Sequence, residues 1–134
     1  MGEGRKDRYI AQFKSSLPDD WTDAAYFPST ERERGVQFVL NTVGSNPNVY
    51  AGRLYDQISE TVFPAGPDGF TKNDLQKTVH CFDDKRLRAH FMTVEKASAY
   101  ANDLIRAGHQ VKIYDYRRPK TYIDHLAEHE QDYR

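Results

Sequence analysis

The segment from Val79 to Tyr116, VHCFDDKRLRAHFMTVEKASAYANDLIRAGHQVKIYDY, constrains the fold more than any other part of the chain. Thr78, His80 and Phe82 alternate with Val79 and Cys81, and Leu87, Ala89 and Phe91 alternate with Arg88, His90 and Met92, which is the period of half-buried strands. Asp83 to Arg86 form a polar turn between the two runs. The spacing predicts a hairpin in which Phe82 faces Leu87, Ala89 faces His80 and Phe91 faces Thr78. Thr93 stands where an N-cap belongs, ahead of a helix whose Ala97, Tyr100, Ala101, Leu104 and Ile105 share one side, and Gly108 suits a left-handed C-terminal cap. Val111 and Ile113 then alternate with Lys112, Tyr114 and Tyr116 before Pro119 stops the strand. The result is a ββαβ unit. One helix from Thr71 through Phe82 is the competing reading, and it would remove the hairpin.

The flanking chain is less explicit. Residues 5 to 17 set Tyr9, Ile10, Phe13 and Leu17 at helical spacing among polar residues, which predicts an amphipathic helix. Trp21, Tyr26 and Phe27 lie between Pro18 and Pro28 and read as aromatic core plugs in an irregular segment. Residues 34 to 43, RGVQFVLNTV, carry two signals at once. Thr30 and Glu33 have capping-box spacing, and Val36, Val39, Leu40 and Val43 fit a helix face. The β-branched content, and the alternation of Val36, Phe38 and Leu40 with Gln37, Val39 and Asn41, fit a strand. A strand is expected here because the downstream pattern calls for one. Asn48 is placed to cap a helix over residues 48 to 61 that carries Ala51, Leu54, Tyr55, Ile58 and Val62. FPAGPDGFT breaks any regular structure, and Thr71 with Asp74 suits a short helical turn. Tyr122, Ile123, Leu126 and Ala127 suggest a last short helix, and no internal repeat is visible.

These elements give the order β (35 to 43), α (48 to 61), β (77 to 82), β (87 to 93), α (94 to 107), β (110 to 116). That is an α+β, ferredoxin-like split βαβ (βαββαβ) arrangement. The expected organisation is an N-terminal helical extension over 1–30, a core domain over 31–118 and a C-terminal helical tail over 119–134. Val36, Phe38, Leu40, Phe82, Leu87, Phe91, Val111 and Ile113 would lie under the helices. The opposite sheet face would present Gln37, Val39, Asn41, Val79, Cys81, Arg88, His90, Met92, Lys112, Tyr114 and Tyr116, a set too apolar to be wholly solvated.

Composition narrows the function classes. A chain of 134 residues with 38% hydrophobic content fits one compact core. A formal net charge of -1 supplies no global positive field for nucleic acid. The single cysteine, Cys81, cannot close an internal disulfide, and no apolar run reaches the roughly 20 residues that cross a bilayer, so a soluble, cytoplasmic protein is expected. Lys6 stands where a myristoylation motif wants Ser or Thr, so lipidation is not expected.

No catalytic constellation is legible. His80 and Cys81 are strand neighbours pointing to opposite faces, and Cys81 reads as a small buried hydrophobe. The HLAEH run of residues 125 to 129 lacks the HExxH order of zinc hydrolases, and no phosphate-binding glycine loop or nucleophile elbow occurs. The chain is therefore expected to be no enzyme and to use no cofactor or metal. The leading expectation is a small binding protein that occupies a surface of a partner protein through Arg88, His90, Met92, Lys112, Tyr114, Tyr116, Arg117 and Arg118. Self-association as a homodimer through the same face is compatible with it. Single-stranded RNA or DNA stacked on that face is the alternative, although K85-R-L-R-A-H-F-M lacks the Gly-aromatic signature of RNA-recognition domains. A third reading is a small-molecule or nucleotide pocket near FPAGPDGF.

Overall fold

The computed structural model describes residues 7–16 and 20–116. The protein is α+β, with two antiparallel sheets and two α-helices. It divides into two compact units with the boundary between Asp74 and Leu75.

In the first unit, β1 (Asp7–Lys14) and β2 (Thr22–Pro28) form a hairpin, α1 (Arg32–Ser45) follows, and β3 (Ala51–Asp56), β4 (Thr61–Phe63) and β5 (Phe70–Thr71) complete the sheet. The strand order is β2-β1-β3-β4, with β5 also paired to β3. Helix α1 buries Gly35, Val39, Leu40 and Val43. Those residues meet the sheet side made by Phe13, Phe27, Gly52 and Leu54: a Cβ added at Gly35 would touch Leu54 and Phe27, and one added at Gly52 would touch Phe13 and Val39.

The second unit contains β6 (Lys77–Cys81), β7 (Ala89–Phe91), α2 (Val94–Arg106) and β8 (Val111–Asp115), in the sheet order β7-β6-β8. Its core joins Val79, Cys81, Ala89 and Phe91 to Ala97, Ala101 and Leu104 of α2, with Val111 and Ile113 packed against them. The Thr93 hydroxyl accepts from Lys96 N–H at the start of α2, and Gly108 takes φ +97° just past its end, as the spacing predicts.

The hairpin, helix and last strand expected over 77 to 116 are present, but the single βαββαβ sheet is not. The segment expected to be a strand at 35 to 43 lies inside α1, and the expected helix at 48 to 61 is β3 with the turn into β4. Where a helix is expected over 5 to 17, residues 7–14 form β1, and Trp21 to Phe27 lead into and form β2. The 1–30 segment thus supplies two strands to the first sheet. The helical tail expected over 119–134 lies outside the described residues. Physical reasons differ by segment. β1 is central between β2 and β3, so Ile10 and Ala11 are both buried although they point to opposite faces, and the alternation that marks a strand is erased. In residues 34 to 43 the 3.6-residue spacing outweighs β-branching because Val39, Leu40 and Val43 gain one common buried surface. The Thr30–Glu33 capping box does not form, since α1 starts at Arg32 and Glu31 occupies its cap without a side-chain bond.

The β6–β7 register also differs from expectation by one residue. Val79, rather than His80, pairs with Ala89, because Asp83 to Arg88 form a longer connection around a short 3-10 turn at Lys85–Leu87, capped by Asp84. A shift of one residue turns every β6 side chain to the other face. Val79 and Cys81 are therefore core residues, and Phe82 stays 45% exposed. Phe38, on α1, is likewise partly exposed.

The first part of the first unit, β1 to β3, repeats the topology of the second unit. Each runs strand, strand, helix, strand, with the first strand between the second and the third, and the first unit then adds β4 and β5 beyond β3. The registers coincide: Tyr9 pairs with Phe27 and Asp56 as Lys77 pairs with Phe91 and Asp115, and Ile10 pairs with Tyr26 and Tyr55 as Thr78 pairs with His90 and Tyr114. Even the closing bond is shared, Gln57 N–H to Arg8 O in one unit and Tyr116 N–H to Gln76 O in the other, each at 2.9 or 2.8 Å.

Candidate functional site

The sequence singled out the face of the second sheet turned away from α2. His90 and Lys112 lie on it beside Thr78, His80 and Tyr114, since these residues alternate with the core set of β6, β7 and β8. His90 Nδ1 and Thr78 Oγ1 are hydrogen-bonded at 2.9 Å, the His90 ring packs edge-on against Tyr116 at 5.3 Å, and His80 packs against Tyr114 at 5.0 Å. His90 and Tyr114 are buried, Met92, Lys112 and Tyr116 are half-buried, and Arg88 is exposed. Burial raises the Tyr116 phenol above its usual range, and the nearby Arg88 charge partly offsets this. The face is thus a packed aromatic and histidine layer rather than an open platform at His90 and Tyr114. Arg117 and Arg118 lie outside the described residues.

The matching face of the first sheet is the one the sequence did not reveal. Tyr26, Ile10, Tyr55 and Val62 stand in one cross-strand row, and Asp23, Gln12 and Arg53 stand in the next. Both rows alternate with Ala11, Phe13, Leu54 and Phe27, so they point away from α1. Tyr26 is 53% exposed at the end of its row, Ile10 within the row is buried, and Tyr55 and Val62 are half-buried. Arg53 donates through Nε to Gln12 Oε1 at 2.8 Å, and Gln12 donates in turn to Asp23 Oδ1 at 2.9 Å. Its guanidinium also lies 4.3 Å from the centre of the Trp21 ring, and Lys14 Nζ lies 4.7 Å from the same ring. Trp21 is thereby held by two cations of its own unit.

At the end of β3 the turn into β4 is fixed by Asp56. Arg8 reaches its carboxylate with two bonds of 2.9 Å, and the N–H groups of Ile58 and Ser59 donate to Oδ1 at 2.9 and 3.3 Å. The Arg8 fork, helped by these amides, holds the Asp56 carboxyl well below the usual carboxylate range.

In the second unit, three side chains of different chemistry converge: Cys81 at the end of β6, Asp83 in the following turn and His109 between α2 and β8. Cys81 Sγ donates to Asp83 Oδ1 at 2.9 Å, and His109 Nδ1 lies 3.3 Å from the same oxygen. Burial first, and the hydrogen bond to the Asp83 carboxylate second, push the Cys81 thiol up. Sequence reasoning missed this meeting because it weighed Cys81 only against its neighbour His80. His109 lies 26 residues from Asp83, and only the Gly108 turn brings it back.

The FPAGPDGF loop does not line the grooves found beside β1. One of these is bounded by Phe13, Lys14, Ser15, Asp20, Thr22 and Val49, and the other by residues from Ser15 to Asn73 that include Lys72. Lys72 Nζ already donates to the carbonyls of Asn46 and Val49, at 3.1 and 2.7 Å. No helix among the described residues is long and apolar enough to cross a membrane. Neither a protein family, a curated protein nor a solved structure matches the chain.

Proposed function

We propose that the chain is a non-catalytic binding protein that holds a partner protein on the aromatic and basic face of its first sheet. The observation that carries this reading is the row of Tyr26, Ile10, Tyr55 and Val62 turned away from α1, with Tyr26 53% exposed at its outer end. Arg53 and Trp21 stand beside that row, and Tyr, Trp and Arg are the residue types that dominate binding energy at protein interfaces. The face is also pre-ordered. Arg53 is tied to Gln12 and Trp21, so little side-chain freedom remains to be lost on binding. In the second unit, Arg88 is exposed, alone among the described members of the set expected from sequence, and that exposure supports it as a partner contact.

Nucleic-acid binding through the same face has less support. A strand of bases needs free aromatic faces and cations that reach phosphates, whereas Lys14 and Arg53 are turned onto Trp21. The deciding experiment compares wild type with Tyr26→Ser and Arg53→Ala in affinity capture from the native host, with sizing of the pure protein alongside. A partner that both substitutions release, in variants that melt like wild type, is the expected outcome. A concentration-dependent dimer that Tyr26→Ser dissociates would make a second copy the partner. Capture indifferent to both substitutions, or steeply salt-dependent binding of oligonucleotides, would overturn the reading.

A further inference from the structure

The geometry points to a zinc-type metal site formed by Cys81, Asp83 and His109 in the second unit. A thiol sulfur, a carboxylate oxygen and an imidazole nitrogen lie within 4.8 Å of one another. Ligand atoms around a tetrahedral zinc, at about 2.0–2.3 Å from the ion, stand roughly 3.3–3.7 Å apart. The observed Nδ1 to Oδ1 distance of 3.3 Å meets the lower end of that span, and the Sγ to Oδ1 distance of 2.9 Å, set by the thiol's hydrogen bond, is shorter than it. Admitting an ion requires the sulfur and the ring nitrogen to draw toward a common point and the carboxylate to swing slightly away from the thiol.

The backbone here is fixed by its own bonds. Phe82 N–H donates to Gln110 O at 2.9 Å, tying the strand carrying Cys81 to the turn carrying His109. His109 N–H donates to Leu104 O at 2.9 Å, and Gly108 N–H to Ile105 O at 3.0 Å, which set the ring at the foot of α2. Graded exposure suits an ion that enters from solvent. Cys81 is buried, His109 is intermediate and Asp83 is exposed.

The donor set selects the metal class. A sulfur with an imidazole disfavours magnesium and calcium, which take oxygen ligands, and favours zinc or another late divalent ion. On binding, the Cys81 S–H bond breaks, its proton passes to solvent, and the sulfur lone pair forms the bond to the metal. Three protein ligands leave a fourth position for water. Nearby Asp84 is engaged by Arg86 at 3.0 and 3.1 Å, so it does not compete for the ion.

The test uses the full chain without an affinity tag. Cobalt(II) serves as the probe because a thiolate ligand gives it a charge-transfer absorption that nitrogen and oxygen ligands do not. One equivalent of cobalt should produce that band, and zinc should displace it and raise the melting temperature, reversibly on chelation. Cys81→Ser should lose the band, and Asp83→Asn and His109→Gln should each weaken binding. Since His109 and Asp83 are not core residues, these two variants keep the question answerable even if Cys81→Ser fails to fold. A folded wild-type chain that shows no thiolate band, or that holds the metal equally well as His109→Gln, would refute the site and assign any binding to other histidines.

Discussion

Replacing Gly52 by alanine tests how closely α1 sits on the first sheet. Gly52 is buried in β3, and a Cβ built there falls 2.7 and 2.8 Å from two carbons of the Phe13 ring and 2.8 Å from Val39 Cγ1. All three contacts are shorter than real Cβ atoms tolerate. The new methyl is held between a strand residue on one side and a helix residue on the other. Phe13 has little room to retreat, because its ring already meets Phe38 at 6.0 Å. Overpacking of this kind costs about 1–3 kcal/mol, while the lower entropy of an unfolded chain with alanine returns about 0.4–1 kcal/mol. The clash wins, with a net loss of about 1–2 kcal/mol. With a urea m value of about 1.5 kcal/mol/M, the unfolding midpoint should fall by about 1 M. Val39→Ala alone removes two methyl groups and costs about 1.5–2.5 kcal/mol. In the double variant the alanine occupies part of the space left by Val39, so the two losses should fall short of additivity by about 0.5–1 kcal/mol. Equal midpoints for Gly52→Ala and wild type, or full additivity in the pair, would refute this packing.

Three further outcomes follow from local geometry. Thr93→Ala removes the bond that Lys96 N–H makes to the Thr93 hydroxyl at 3.2 Å and should cost about 1 kcal/mol in chemical unfolding, whereas Thr93→Ser should cost little. Tyr100→Phe removes the 2.6 Å bond from its phenol to Leu87 O and should cost about 0.5–1.5 kcal/mol; unchanged stability would mean that water replaces it. Asp56 has a folded-state pKa below its unfolded one, set chiefly by Arg8, so its contribution is complete above the unfolded carboxyl range and fades as pH falls below about 4. The stability gap between wild type and Asp56→Asn should therefore be widest near neutrality and close in acid, and a gap that widened below pH 4 would show the sign to be wrong.

The repeated topology was hidden from the sequence for a definite reason. Equivalent positions include four identities, Ala25 with Ala89, Phe27 with Phe91, Tyr55 with Tyr114 and Asp56 with Asp115, but the separation between equivalents drifts along the chain. Connections of different length destroy any fixed period. Ile10 and Gln12 match Thr78 and His80 only in register, which is a property of strand pairing and not of residue type.

By itself, the sequence determined what short-range physics decides. Thr93 and Gly108 bound α2 because a cap bond and a positive φ are local, and the stripe of Ala97, Ala101 and Leu104 assigns its buried face. Phe91, Val111 and Ile113 were legible as core because apolar and polar residue types alternate along β7 and β8, although His90 and Tyr114 on the opposite face are buried as well. Tertiary structure alone decided the rest. β1 and β3 are central strands, and burial on both faces gave Tyr9, Ile10, Phe13, Leu54 and Tyr55 a spacing that also suits a helix. The length of the Asp83 to Arg88 connection set the β6 register, and with it the side to which Cys81 turns. Where Cys81 and Asp83 meet His109, and where Tyr26 meets Ile10 and Tyr55, depends on pairings between residues far apart in the chain, and such contacts leave no periodic mark on the segments that make them.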